Sequence, residues 1–409
     1  NYGNKLIATI FDGATFEWNS NATGATSTRA TILANAPTAA IHTLVSTPDR
    51  HLVFFGTETT IGTPSTQDAM YIRWSSQESI DATTSYAPSA INTAGTQRLA
   101  DGTRIVAAIR GRDAIYVWTD TALFIMRFVG APFVFSFQQV GTNCGLLGKN
   151  AAVEVDGSAY WMSENGFFRY TGKLESMPCL VEDYVFDDIN TIPRQHIYAG
   201  LNNLFGEVTW FYPGSGAASN NRAVTYNYMD STPERQVWTT SSLSRSTWAD
   251  SSIFGKPHAT EYDSDATSDT TVGNTDGVTT YFEHETGVNQ IKSGSSTAIA
   301  ASIESGDIDI GQSGIPNQGD GENIMKIRRV LPDFLQQTGD ARVTLNLKNY
   351  PTDAQASSSL GPFTTTTSTT KIDTRARARA ISLKVDNTST GQHWKLGTFR
   401  LDIQPDGRR

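Results

Sequence analysis

Two groups of residues in this chain could carry chemistry by their type and spacing. One is a set of acids and a histidine, the other a run of arginines at every second position. His284 lies in Tyr281-Phe282-Glu283-His284-Glu285-Thr286-Gly287. A His-Glu pair opens the helical zinc motif of metalloproteases, but that chemistry needs a second His four residues on, and position 288 is Val288. Gly287 also disfavours the helix, so His284 reads as structural and no metal site is expected. Glycoside cleavage needs two facing carboxylates. Glu164, Glu207 and Asp183 are the candidates, with Arg104, Arg110, Arg112 and Arg127 as cations for an acidic sugar. Nothing in their spacing brings them together. There is no Gly-Lys-Ser/Thr phosphate loop and no Gly-x-Ser-x-Gly elbow. The expectation is a chain that is not an enzyme, without catalytic residues or cofactor.

The second group is Arg375, Arg377 and Arg379, alternating with Ala376, Ala378 and Ala380. On a strand this period places three guanidiniums on one face and three methyl groups on the other. Arginine forks bind carboxylates and phosphates alike. The chain has 32 Lys plus Arg against 41 Asp plus Glu, a net charge of −9, which favours a carboxylate partner over DNA. These three arginines are therefore expected at a subunit interface, with Arg408 and Arg409 adding positive charge nearby.

The elements that must position these residues are strands. Hydrophobic residues at 38% suffice for a packed core, and abundant Thr, Ser, Gly and Asn suit strands joined by tight turns. Apolar segments of four to six residues recur between turn signals such as Asp12-Gly13, Asp156-Gly157 and Glu164-Asn165-Gly166. A unit of hydrophobic strand, polar turn and aromatic strand returns roughly every 40–50 residues, the length of a four-stranded propeller blade. One short helix is expected within residues 178–189. No apolar run approaches the roughly 18 residues of a membrane helix, so no membrane anchor is expected. Cys144 and Cys179 cannot form a disulfide framework and read as free thiols in a reducing compartment.

From residue 262 the texture turns acidic and loop-like, and Ser293-Gly294-Ser295-Ser296-Thr297 has the composition of a flexible linker. The expected organisation is all-β: a β-propeller-like body over 1–292, a linker over 293–297 and a separate C-terminal β domain over 298–409.

Several stretches resemble the tail nozzle proteins of short-tailed phages, also called tail tubular protein B or packaged-DNA stabilisation protein. They are Tyr71-Ile72-Arg73-Trp74-Ser75, residues 160–172 (YWMSENGFFRYTG), residues 205–213 (FGEVTWFYP) and residues 375–409, ending WKLGTFRLDIQPDGRR. The resemblance is spread over most of the chain. It implies a propeller-bearing subunit of a homohexameric ring around the DNA exit channel, and no catalytic residues. It further implies a place in the virion tail after assembly in the host cytoplasm. The implied partners are an adjoining tail adaptor and fibre or needle proteins, with double-stranded DNA passing through the lumen unread. An acidic lumen would repel phosphates and let DNA slide. The chain begins at Asn1, so a longer product is expected. The alternative reading is a carbohydrate-binding or glycan-cleaving propeller on a virion or cell surface.

Overall fold

A computed structural model of the chain describes residues 2–22, 24–47, 49–250, 253–263, 278–292, 294–310, 321–350 and 358–407. Most of the acidic stretch after residue 262, together with Arg408 and Arg409, lies outside the described residues. The architecture is all-β. Among the described residues one α-helix occurs, Glu182–Asp188, inside the segment expected to be helical. No helix of the described residues is long and apolar enough to cross a membrane. The chain forms two compact units, residues 1–285 and 286–409.

Unit 1 is a series of antiparallel meanders in chain order. Four sheets of four strands span residues 42–98, 105–142, 152–177 and 198–241, with a three-stranded sheet before them and another after. The first strands of successive sheets lie beside one another, His42–Ser46 against Ile105–Arg110, then Ala152–Val155, Tyr198–Asn202 and Thr247–Ala249. This is the arrangement of propeller blades, each with its first strand innermost. Local chemistry sets the hairpins: Asp156 and Gly157 have φ of 49° and 86°, a two-residue turn that pairs Val155 with Ser158.

Packing explains the repeat seen in the sequence. In three consecutive sheets the second strand carries a fully buried tryptophan, Trp118, Trp161 or Trp210. Each stands opposite an alanine of the first strand: Ala107, Ala152 or Ala199 respectively. The small inner residue leaves room for the large outer one. Trp161 donates its indole N–H to the Cys144 carbonyl at 2.8 Å, and Trp210 to the Ala151 carbonyl at 3.0 Å. Each bond ties a second strand to a backbone segment leading into a first strand. Truncating a buried tryptophan costs about 3–5 kcal/mol, so these three positions weigh heavily in the stability of unit 1.

The two larger sheets of unit 2 pack around one core, with the short pair Phe334–Thr338 and His393–Leu396 beside them. The first joins Ser302–Glu304, Ala380–Asp386, Ala341–Lys348 and Ser358–Thr365; the second joins Ile372–Ala378, Met325–Leu331 and Arg400–Pro405. Val343, Leu345, Ile381 and Val385 of the first meet Met325, Ile327, Ala376 and Ala378 of the second. The expected boundary is corrected. Residues Asn289–Lys292 and Ser295–Ala298 pair as a hairpin, whose Asn289 side chain accepts the Gly391 N–H at 2.7 Å. The Gly-Ser-Thr stretch is therefore mostly a turn and an exposed strand of unit 2, and the division falls at 285/286. Ser and Thr serve an exposed strand as readily as a linker, so composition did not distinguish them.

Candidate functional site

The arginine run lies where the sequence places a strand, and two of its three members share a face. In Ile372–Ala378, Thr374, Ala376 and Ala378 are buried while Asp373, Arg375 and Arg377 are exposed. Arg379 departs from the expected ladder. It sits at the corner where the chain leaves the second sheet to begin Ala380–Asp386 in the first. Its Nη1 donates to the carbonyls of Gly321 at 2.9 Å and Glu322 at 2.7 Å, within its own subunit. Arg377 is also engaged internally: its Nε meets Asp406 Oδ2 at 2.5 Å and its Nη2 donates to the Asp406 carbonyl.

The same exposed face carries other cations that sequence reading missed. Lys326 stands opposite both Arg377 and Gln404, and a bulge between Ile327 and Arg329 leaves Arg328 and Arg329 both exposed. Arg329 pairs with Asp402 at 3.3 Å, and Lys371 with Asp373 at 2.9 Å. Lys326, Arg328 and Arg375 have no ion-pair partner among the described residues. The irregular register was the hidden feature: a strict alternation would have turned Arg328 or Arg329 inward.

A second feature is a cavity of about 600 Å³ within unit 1. Its walls include Ile41, Arg104, Lys149 and Arg194, each just before the first strand of one of four successive sheets. Asp12 and Gln67 also line it, with Gln67 Nε2 donating to Asp12 Oδ1 at 3.0 Å and to the Gly56 carbonyl. Arg194 shares its charge with Glu164 at 3.2 Å, an exposed pair. Arg104 and Lys149 have no ion-pair partner among the described residues. By spacing alone Arg104 is one of four scattered arginines. Its convergence with Lys149 and Arg194 depends on how the sheets pack, which no local spacing records.

The acids separate in the same way. Glu164 is in the ion pair just described, and Asp183 lies in the first turn of the helix. Glu207 is half-buried, and burial together with the charges of Glu285 and Asp230 raises its pKa above the ordinary glutamate value. Asn202, opposite Glu207 on the neighbouring strand, donates to Glu285 Oε1 at 3.0 Å. The two cysteines are free, Cys144 buried and Cys179 half-buried, with burial pushing both thiols up to about 11.

His284 is held by Arg245, which is 4% exposed and lies 4.0 Å over the Phe282 ring. Arg245 Nε donates to His284 Nε2 at 2.9 Å, occupying the lone pair a metal would use. No group of three or more His, Cys, Asp and Glu among the described residues is placed to hold a metal. Burial, then Arg245 and His258, push the imidazole down to about 4. Between the ordinary histidine value near 6.5 and that value, the unfolded chain binds a proton that the folded chain refuses. His284 therefore supports the fold fully above about pH 6.5, and that support is lost as pH falls toward 4. Urea midpoints measured from pH 7.5 to 4.5 should fall less steeply for His284→Gln than for the wild type. Parallel curves would remove His284 from the acid response.

No protein-family model and no curated protein sequence matches this chain. Among solved structures, one similar chain is the exo-beta-1,3-galactanase of Phanerochaete chrysosporium with galactose, at 8% identity and a TM-score of 0.23. The match covers 98% of this chain and 94% of that one. Because that neighbour is an enzyme, the sequence expectation that this chain is not one is withdrawn. At this score the likeness transfers neither a substrate nor a catalytic residue.

Proposed function

We propose that this chain is a subunit of a short-tailed phage's tail nozzle, which closes into a homohexameric ring around the path of the ejected DNA. The reading rests on the four resembling stretches and on one observation of unit 2: an exposed sheet face with three cations that have no ion-pair partner among the described residues, in a chain of net charge −9. Such a face suits a neighbour copy's carboxylates, since charge complementarity fixes register between subunits. Adjoining tail proteins and DNA in the lumen complete the proposal. Native mass spectrometry of the purified full chain, with imaging of intact tails, tests it. Six-fold particles are expected; monomers alone, in solution and in tails, would overturn it.

A second reading, a glycan-cleaving propeller, has the Glu207 environment behind it. A carboxyl with a raised pKa beside a second carboxylate is the usual pairing of acid and base in glycoside cleavage. On this reading the wild-type chain releases reducing sugar from a glycan panel, and Glu207→Gln lowers the rate by roughly 100-fold or more. A wild-type chain that releases none refutes it.

A further inference from the structure

We propose that the cavity in unit 1 is a binding site for a phosphate monoester, a dianionic group carried on an apolar or ring-shaped body. At about 600 Å³ the cavity lies within the range of small-molecule sites, roughly 300–1,000 Å³. Its charge is one-sided. Arg104, Lys149 and Arg194, each from the segment before a different sheet, bring three positive charges, the last shared with Glu164, against the single carboxylate of Asp12 on the wall. The balance suits a dianion better than a monoanion or a polyphosphate. Arg104 and Lys149 have no carboxylate partner of their own among the described residues, so their donors do not have to leave an existing pair. Planar guanidiniums bind phosphate through two parallel N–H bonds, and lysine adds a point charge.

The rest of the lining sets the other half of the ligand. Ile41, Val106 and Leu147 give apolar wall, and Phe11, 60% exposed, is a further lining residue. An exposed aromatic ring beside a cationic pocket offers a stacking surface for a flat group. Gln67 already spends its amide N–H groups on Asp12 and Gly56, which fixes that wall before any ligand arrives. All these residues belong to unit 1. The inference does not rest on the ring reading, and a chain that never forms rings would still bind.

Isothermal titration of the full chain with phenyl phosphate tests the assignment. One saturable site per chain is expected, tighter than for inorganic phosphate, with no binding of phenol. Adenosine monophosphate and glucose 6-phosphate, titrated in parallel, distinguish a nucleotide source from a sugar source of the same group. Arg104→Gln and Lys149→Gln should each weaken phenyl phosphate roughly tenfold or more while leaving the melting temperature unchanged. Arg194→Gln should cost less, because Glu164 already shares that charge. Competition needs no variant: sulfate, a dianion of similar shape, must displace phenyl phosphate, and benzyl alcohol must not. Absence of saturable binding, failure of sulfate to compete, or equal affinity in the wild type and both glutamine variants would overturn the proposal.

Discussion

Replacing Arg73 with methionine should destabilise unit 1 by about 3–5 kcal/mol, the scale for removing one partner from a buried charged network. Arg73 is 4% exposed. Its Nη1 donates to the Tyr86 carbonyl at 2.9 Å, and its Nη2 to the carbonyls of Thr59 at 2.8 Å and Glu58 at 3.3 Å. One guanidinium thus gathers three backbone acceptors from two loops of the second sheet. The Glu58 side chain, wholly buried, accepts from the Thr38 N–H and hydroxyl and from the Gly62 N–H at 2.7 Å. Methionine fills similar space but donates nothing, so the carbonyls lose their donors and the Glu58 carboxylate loses its nearby countercharge. Urea unfolding followed by tryptophan fluorescence reads the loss. A cost below about 1 kcal/mol would show that water replaces the guanidinium at little penalty. Arg73 belongs to one of the stretches that carry the resemblance, and its described bonds all serve its own subunit.

On the ring reading, reversing Lys326, Arg328 and Arg375 together to glutamate should weaken assembly by roughly 100-fold or more, because opposed like charges cost several kcal/mol at an interface. The subunit itself should fold normally, since these side chains project from an exposed face without ion-pair partners among the described residues. Arg377→Gln is the comparison. It removes a bond to Asp406 that is exposed and internal, and an exposed pair contributes about 0.2–1 kcal/mol, so assembly should change little. Analytical ultracentrifugation over a concentration series measures both variants. If the triple reversal assembles like the wild type, this face is not the interface. If Arg377→Gln alone abolishes assembly, the arginine ladder acts on the neighbour directly and the internal pair is incidental.

Features that depend on neighbouring residues are legible in the order of the chain. Asp156-Gly157 makes its turn because both positions must take positive φ, which these residue types accept. Residues 374–378 alternate between core and surface because pleating turns successive side chains to opposite faces. The recurrent aromatic strand was visible because three consecutive sheets each set one large residue opposite a small one, as Trp161 against Ala152 shows.

Other features arise from contacts between segments far apart in the chain. Arg379 obeys the same alternation in the sequence, yet a change of sheet at that residue turns it toward the carbonyls of Gly321 and Glu322. Arg104, Lys149 and Arg194 each precede a first strand of a different sheet, and they meet only because those strands pack side by side. Lys326 and Arg328 join Arg375 through pairing between strands nearly fifty residues apart in the chain, with a bulge setting their exposure. Local spacing constrains a residue's face within its own strand. It carries no information about which strands become neighbours, because that choice depends on burying apolar faces across the whole unit.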